Sequence, residues 1–466
     1  MWAFFLEFSI GVCQMQNTNN NSTVIKVSII AALAGLLFGL DVAYVNGALQ
    51  FIVNEFQLNE LQQGHIASYL LVGAAVGSLS SGYLSHKFGR KKLLVIAGAV
   101  FTSGILAGIL TTDINMFLIV RFVIGLAVGV ASFVAPLYIS EIAPFKIRGA
   151  LIAVYQLMIT VGIFAMFVSN SLLSFTGSWR IMMAVLLVPS MIMLIFSLFV
   201  PETPRWLVLK GRNEEAREVL NKIRGSQEEI TAELQEIKSS HDVGKSKIKV
   251  STLVKIIILG MLLQLLQQFS GINALMYYST QMFAAAGFAN PTIATIIIGL
   301  VNMLTTLIAI KFVDIWGRKP ILYMGLVMLI ISCSAVAYLM ESQASGLSAF
   351  QQYAMLGSCI LFIFAFAVSL GPIIWIICAE IFPLDYRDLG VTITTMCNWI
   401  FNALIGEYTL ASFHYFGVSN VFLFFGASCF LGLFLVKFFT PETKNVSLEH
   451  LEENLKKGVA LKNIGA

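Results

Sequence analysis

The sequence predicts an all-α membrane protein with twelve transmembrane helices in two pseudo-symmetric six-helix bundles, and three observations carry that prediction. Of the 466 residues, 58% are hydrophobic and 12% charged, about half the charged share of an ordinary soluble domain. Apolar segments of about twenty residues, the length a helix needs to cross hydrocarbon, recur twelve times along the chain. Short motifs also repeat at a nearly constant offset, the mark of an internally duplicated architecture. Gly89-Arg90-Lys91 returns as Gly317-Arg318-Lys319. Glu141-Ile-Ala-Pro144 with Arg148 returns as Glu380-Ile-Phe-Pro383 with Arg387, and Pro201-Glu202-Thr203 as Pro441-Glu442-Thr443. Three echoes in register place two bundles in the same direction along the chain.

In chain order, residues 1–24 form a cytoplasmic tail. Its apolar stretch from Trp2 to Cys13 lacks a basic start and a small-residue cleavage site, so it reads as a surface segment or tail, not a signal peptide. The sequons beginning at Asn20 and Asn21 carry little weight at a cytoplasmic end. The first bundle, 25–200, holds segments 25–47, 66–84, 93–111, 116–138, 150–172 and 179–200. The second, 252–439, holds 252–286, 292–313, 320–339, 353–381, 388–413 and 419–439. Basic residues collect in alternate connections: His86 to Lys92, Lys146 with Arg148, Arg318-Lys319, and Arg387. By the positive-inside rule these connections, both termini and the long 6–7 loop are cytoplasmic. That loop, the 201–251 linker, is the one soluble-looking piece. From Pro201 to Lys249 it carries nine acidic and ten basic residues, with Leu220, Ile223, Ile230, Leu234 and Ile237 at helical spacing. Short amphipathic helices on the cytoplasmic face are expected there. Residues 440–466 form the C-terminal cytoplasmic tail.

Several function classes drop out. The linker charges nearly cancel, which leaves no footprint for nucleic acid. Five of six cysteines (Cys333, Cys359, Cys378, Cys397, Cys429) lie in apolar segments without paired spacing, and the five histidines form no ligand cluster, so neither a disulfide framework nor a metal or cofactor site is expected. No nucleophile–base pair or phosphate loop suggests an enzyme.

The chemistry concentrates in Gln267-Gln268-Phe269-Ser270-Gly271-Ile272-Asn273 followed by Tyr277-Tyr278, within the apolar segment Thr252 to Ala286. Unpaired carboxamides facing lipid cost several kcal/mol each. Facing a wet cavity they are tolerable, and the Ser-Gly step lets the helix open at that point. Amides donate and accept alike, and aromatic rings pack on C–H-rich faces, so an uncharged polyol or sugar is the natural guest. Polar glue between helices is the competing reading.

The ordered set of motifs resembles the sugar porter family of the major facilitator superfamily over nearly the whole chain. It comprises the two Gly-Arg-Lys loops, Arg121-Phe-Val-Ile-Gly125, Pro136-Leu-Tyr138 with Glu141, Pro201-Glu-Thr-Pro-Arg205, the Gln267 to Asn273 stretch, Gly371-Pro372 with Trp375, Asn398-Trp399 and Pro441-Glu-Thr443. Within the family the flavour is that of GLUT-like and insect hexose or trehalose carriers. The resemblance implies the major facilitator fold and a hexose-like sugar carried by alternating access in the plasma membrane. Its partners would be the sugar, the lipid bilayer and, on one reading, protons. The implied sugar site comprises Gln156, Gln267, Gln268, Asn273, Asn302, Trp375 and Asn398, with Trp399 and Asn402 second choices; Tyr277 and Tyr278 form an outer gate. Spacing adds that Asn302 and Asn398 both lie about 15 Å deep, at mid-membrane. Trp375 and Trp399 also read as plain core residues.

The inner-gate charges Arg90, Glu141, Arg148, Arg318, Glu380 and Arg387 are implied to pair across the halves when the inner side is shut. Three features depart from the pattern. His86 stands where an acidic residue is usual, Ile374 replaces a proline before Trp375 and puts the bend of that segment in doubt, and Glu407 has no assigned role.

Asp41 and Arg121 fall at the same depth, about 22 Å from the inner side, which makes a buried ion pair reasonable. In proton-coupled members an aspartate and arginine at matching positions link proton and sugar movement. The sequence reading favours facilitative uniport and keeps proton symport through this pair as its alternative. A trehalose carrier, and a non-transporting sensor on the same scaffold, are further alternatives; about 27 residues after Phe439 is short for a signalling tail.

Overall fold

In hydrocarbon a backbone must satisfy its own polar groups, so each apolar segment has helix as its one open-ended choice. The computed structural model describes residues 19–224, 226–239, 248–341, 347–383, 386–444, 446 and 448–465. The stretch Trp2 to Cys13, the side chains of Asn20 and Asn21, and part of the linker lie outside the described residues. Among those described, every regular element is helical.

The first half comprises α1 (Asn19–Phe56), α2 (Glu60–Phe88), α3 (Arg90–Leu110), α4 (Ile114–Ile142), α5 (Phe145–Leu173) and the paired α6 (Trp179–Ala184) and α7 (Leu187–Ser197). Polar caps start two of these at one end of the bundle. Asn59 and Gln62 form a capping box on α2, and the Asp113 carboxylate accepts from the Met116 amide on α4. The linker folds into α8 (Pro204–Leu209), α9 (Asn213–Ile223) and α10 (Gln227–Ser239). Its apolar stripe is buried as its periodicity predicts: Leu220, Ile223, Ile230 and Ile237 turn inward and Leu234 is half-buried.

The second half contains α11 (Val250–Gln268), α12 (Ile272–Ala285), α13 (Pro291–Trp316), α14 (Arg318–Glu341), α15 (Ala349–Val368), α16 (Leu370–Glu380) and α17 (Arg387–Phe438), and α18 (Leu448–Lys456) follows. Among the described residues, eleven helical stretches are long and apolar enough to cross a membrane. The 52-residue α17 is two crossings, because Gly417 breaks it at φ 81°, ψ 150°. Counting its two limbs, the twelve expected crossings are present.

Two crossings are broken at mid-depth. Between α11 and α12 the chain turns at Gly271, with φ 93°. Between α15 and α16 it turns at Ser369, with φ −117° and ψ −89°. The doubt raised by Ile374 is thus resolved upstream of it: Ser369 makes the bend, and Ile374 is buried in the following helix.

Within the first half, small residues let backbones touch. A Cβ on Gly39 would meet the Ile159 carbonyl, and one on Gly162 the Leu36 carbonyl, so α1 and α5 interlock reciprocally. Gly73 and Gly125 do the same for α2 and α4. The halves meet where α2 lies against α17, α5 against α13, and α1 against α12.

Candidate functional site

The helix break at Gly271 frees the last turn of α11 and the first of α12 to turn amides inward. Gln267 donates to the carbonyls of Leu370 (2.8 Å) and Gly371 (3.2 Å) in the first turn of α16. Asn398 on α17 donates to Gln267 Oε1 at 2.7 Å and to Gln264 Oε1 at 2.6 Å. Asn273 donates to Gln268 Oε1 at 2.6 Å. Tyr277 donates to Asn402 Oδ1 at 3.1 Å, and Tyr278 donates to the Gly406 carbonyl at 2.5 Å. Gln267, Gln268, Asn273, Asn398, Asn402, Tyr277 and Tyr278 therefore form one tract where α11, α12 and α17 converge.

The remaining sequence candidates stand apart from that network. Gln156 on α5 is exposed, Asn302 on α13 is buried and makes no side-chain bond to the tract, and Trp375 on α16 is 37% exposed. Trp399 is buried against Phe38 of the other half, ring centroids 5.1 Å apart, yet its indole N–H has no partner.

Asp41 and Arg121 meet as their common depth predicts. Arg121 Nη1 lies 2.6 Å from Asp41 Oδ1, with each side chain 1% exposed. Arg121 Nε donates to the Ile66 carbonyl at 3.1 Å, and its guanidinium sits 5.9 Å from the Tyr44 ring centre. The second carboxylate oxygen of Asp41 is buried with no hydrogen-bond partner.

The two ends of the molecule differ. At the end carrying the Gly-Arg-Lys turns, Arg90 pairs with Glu141 at 2.8 Å and Arg318 with Glu380 at 3.0 Å. Each of these two pairs lies within its own half, whereas the pairing across the halves that the resemblance implies belongs to a shut inner side. The physical reason is local. Gly89 and Gly317 turn the chain so that each arginine starts a helix whose free amides are taken up by a motif carboxylate. Glu202 accepts from the amides of Arg90 and Lys91, and Glu442 from those of Arg318 and Lys319. Burial nonetheless outweighs the amides at Glu202 and holds its carboxyl above the usual range. At Glu442 burial is the largest single effect, but four backbone donors together overcome it and hold the carboxyl below that range. Arg148 and Arg387 lie at matching positions near the starts of α5 and α17.

At the opposite end, polar bonds tie the halves together. Asn46 on α1 donates to the Met276 carbonyl and to Ser279 Oγ, both at 2.9 Å, and accepts from Thr280. Thr295 on α13 stands 3.1 Å from Ser279. The sequence reading missed this closure, and it missed Gln264. Gln264 carried a signal, since it precedes Gln267 by three residues and shares its helix face. Asn46 carried none, because its partners lie some 230 residues away along the chain.

Comparison with known proteins agrees with this architecture. Residues 27–455 match the family model described as "Sugar (and other) transporter". The chain is 43% identical over 458 residues to a galactose-proton symporter of Escherichia coli (strain K12), covering 97% of this chain and 98% of the relative. It is 40% identical to an arabinose-proton symporter of the same organism, covering 94% and 95%. Among solved structures, the major facilitator superfamily proton:xylose symporter XylE bound to 6-bromo-6-deoxy-D-glucose superposes with a TM-score of 0.78 at 29% identity, covering 94% of this chain and all of that one. These relatives are named as bacterial proton symporters, whereas the sequence reading favoured uniport and an insect-like flavour.

Proposed function

Since the chain belongs to the sugar transporter family of the major facilitator superfamily, we propose that it is a proton-coupled monosaccharide symporter of a bacterial plasma membrane, working by alternating access. The reading takes the basic end as cytoplasmic, by the positive-inside rule. A sugar enters the chamber beside the α11–α12 break, where the amides of Gln267, Gln268, Asn273 and Asn398 exchange bonds among themselves for bonds to sugar hydroxyls. Gln156, Asn302 and Trp375 join from the surrounding helices, and Trp399 supplies its unused N–H. The outer end is tied across the halves through Asn46, as an inward-facing state requires.

Symport over uniport is supported by the relatives, which are named as proton symporters, together with one feature of this chain, the buried Asp41–Arg121 pair. When Arg121 is drawn away, a lone carboxylate in a dry span is stable only with a proton on it. The free Oδ2 is where that proton would sit, and its arrival or loss ties proton passage to the movement of the halves.

The test is uptake of radiolabelled galactose and arabinose into proteoliposomes with and without an inward proton gradient. One pH unit supplies about 1.4 kcal/mol, so one-to-one symport concentrates sugar up to about tenfold. Asp41→Asn should abolish accumulation while sugar counterflow persists. Uptake of the same extent with and without the gradient would return the protein to uniport.

A further inference from the structure

Where α2 of the first half lies against α17 of the second, the seam holds a trough of about 420 Å³. Its floor is made of small side chains: Ala75 and Ala403 are 5% and 6% exposed. Its walls are bulky and bare. Val72, Val76 and Leu79 rise from α2, and Ile400 and Leu404 from α17, each 41–53% exposed. All of them fall within apolar spans, so what they face is hydrocarbon. From Ser68 to Leu79 the trough runs about 16 Å at 1.5 Å per residue, close to the depth of one leaflet of a ~30 Å core.

One end of the trough is polar. Ser68 and Tyr69 meet Glu407 and Tyr408 there, at the end away from the Gly-Arg-Lys turns. The Glu407 carboxylate accepts the Ser68 hydroxyl, and Nδ1 of the neighbouring His65 makes no hydrogen bond. Neither helix carries a lysine or arginine over residues 60–79 or 396–417. Counted along the apolar segment 66–84, Ser68 lies about 3 Å in from the membrane edge. The carboxylate bonded to it therefore sits just beneath the lipid headgroups.

We propose that the trough binds one phospholipid with a primary-ammonium headgroup, drawn from the leaflet at this end. One acyl chain lies over Ala75 and Ala403 between the two walls. Fixed side chains then touch it on three sides, and the dispersion contacts accumulate along its length. At the mouth the ammonium donates to Glu407, and the Tyr69 and Tyr408 hydroxyls donate to phosphate or ester oxygens. An anionic lipid without an ammonium meets the carboxylate with no basic side chain to offset it. A helix of a second copy is a poorer fit. The α2 and α17 backbones touch beside the trough, since a Cβ on Gly64 would strike the Glu407 carbonyl, so the gap is narrower than a helix about 10 Å across. The inference uses the transport reading only to name the leaflet as the outer one.

The experiment reconstitutes the full chain in phosphatidylcholine vesicles containing a small fraction of a lipid with a diazirine in one tail, headed by either ethanolamine or glycerol. After irradiation, the labelled peptides are mapped by mass spectrometry. The ethanolamine lipid should label Val72 to Leu79 and Ile400 to Leu404 several-fold more than the exposed apolar face of α7 at Val188, Ile192 and Ile195. It should exceed the glycerol lipid in the trough by about twofold to fivefold, the range for a partly solvated charge pair. Glu407→Gln still accepts from Ser68 but lacks the charge, and should erase that headgroup preference. Ala403→Leu fills the floor and should bring labelling down to the α7 level. Leu404→Ala lowers a wall without adding bulk and should reduce labelling in part, with the melting temperature checking the fold of each variant. Labelling at the α7 level with both lipids would mean annular lipid only and overturn the proposal. So would a headgroup preference that survives in Glu407→Gln. Labelling that disappears as the protein is crowded in the membrane would assign the trough to a second copy of the chain and overturn it equally.

Discussion

Asn398 and Gln156 apply the same carboxamide chemistry from opposite situations. Asn398 is buried between two glutamine oxygens, so removing it leaves Gln264 and Gln267 acceptors without donors, at about 1–3 kcal/mol. Asn398→Ala should therefore lower sugar kcat/KM by about tenfold to a hundredfold, matching that energy, and also lower the melting temperature in detergent. Gln156 is exposed and holds nothing in the fold. Gln156→Ala should raise KM several-fold with an unchanged melting temperature. If both variants melted like the parent and transported like it, the amide tract would be packing and not a binding surface. What the sequence made legible at this scale were side chains whose polarity is anomalous for their surroundings: the 267–273 amides, Asp41 and Arg121. What it hid were ordinary residues made important by a distant partner, such as Asn46 and Phe38. A lone asparagine or phenylalanine in a span has no local signature, and no spacing rule reaches across 230 residues.

At the scale of elements, the two mid-membrane breaks set the site, and they differed in legibility. The Ser270-Gly271 step announced the first, because a glycine amid amides suits a positive φ. The second occurs at Ser369, ahead of Gly371-Pro372, whereas the sequence reading, with Ile374 where a proline is usual, had left the bend of that segment in doubt. A proline in the first turn of α16 loses no intrahelical bond, so it begins that helix and does not bend one. Gly271 is the more demanding position. Its φ of 93° costs an L-residue about 1–2 kcal/mol, and the Phe425 ring of α17 occupies the space a Cβ would need. Gly271→Ala should lower the melting temperature by several degrees and weaken sugar binding, since Gln267, Gln268 and Asn273 flank the turn. Adding Phe425→Leu should recover the part due to crowding and leave the part due to φ. Full recovery in the double variant would show that backbone conformation at the break contributes nothing.

The whole molecule is a pair of similar halves, and on the proposed alternating-access reading their relative tilt decides which side the sugar site faces; the repeats in the sequence revealed the halves without revealing the tilt. The repeated pairs Arg90–Glu141 and Arg318–Glu380 fasten each half to itself at the basic end. The bonds that choose a state lie at the opposite end, where Asn46 alone reaches Met276, Ser279 and Thr280. If the halves must part there for sugar to enter, a covalent tie at that point stops the cycle while leaving each half intact. Asn46→Cys combined with Thr280→Cys, treated with a short thiol-reactive crosslinker, should lose essentially all uptake and regain it when the crosslink is cleaved by reductant. The control is Thr102→Cys with Ser190→Cys, a pair 3.2 Å apart within the first half, whose crosslink should leave uptake within about twofold of the untreated protein, since no relative motion of the bodies is blocked. Undiminished uptake in the crosslinked Asn46–Thr280 variant would mean that this end never opens, and that sugar takes a path other than the one between the halves.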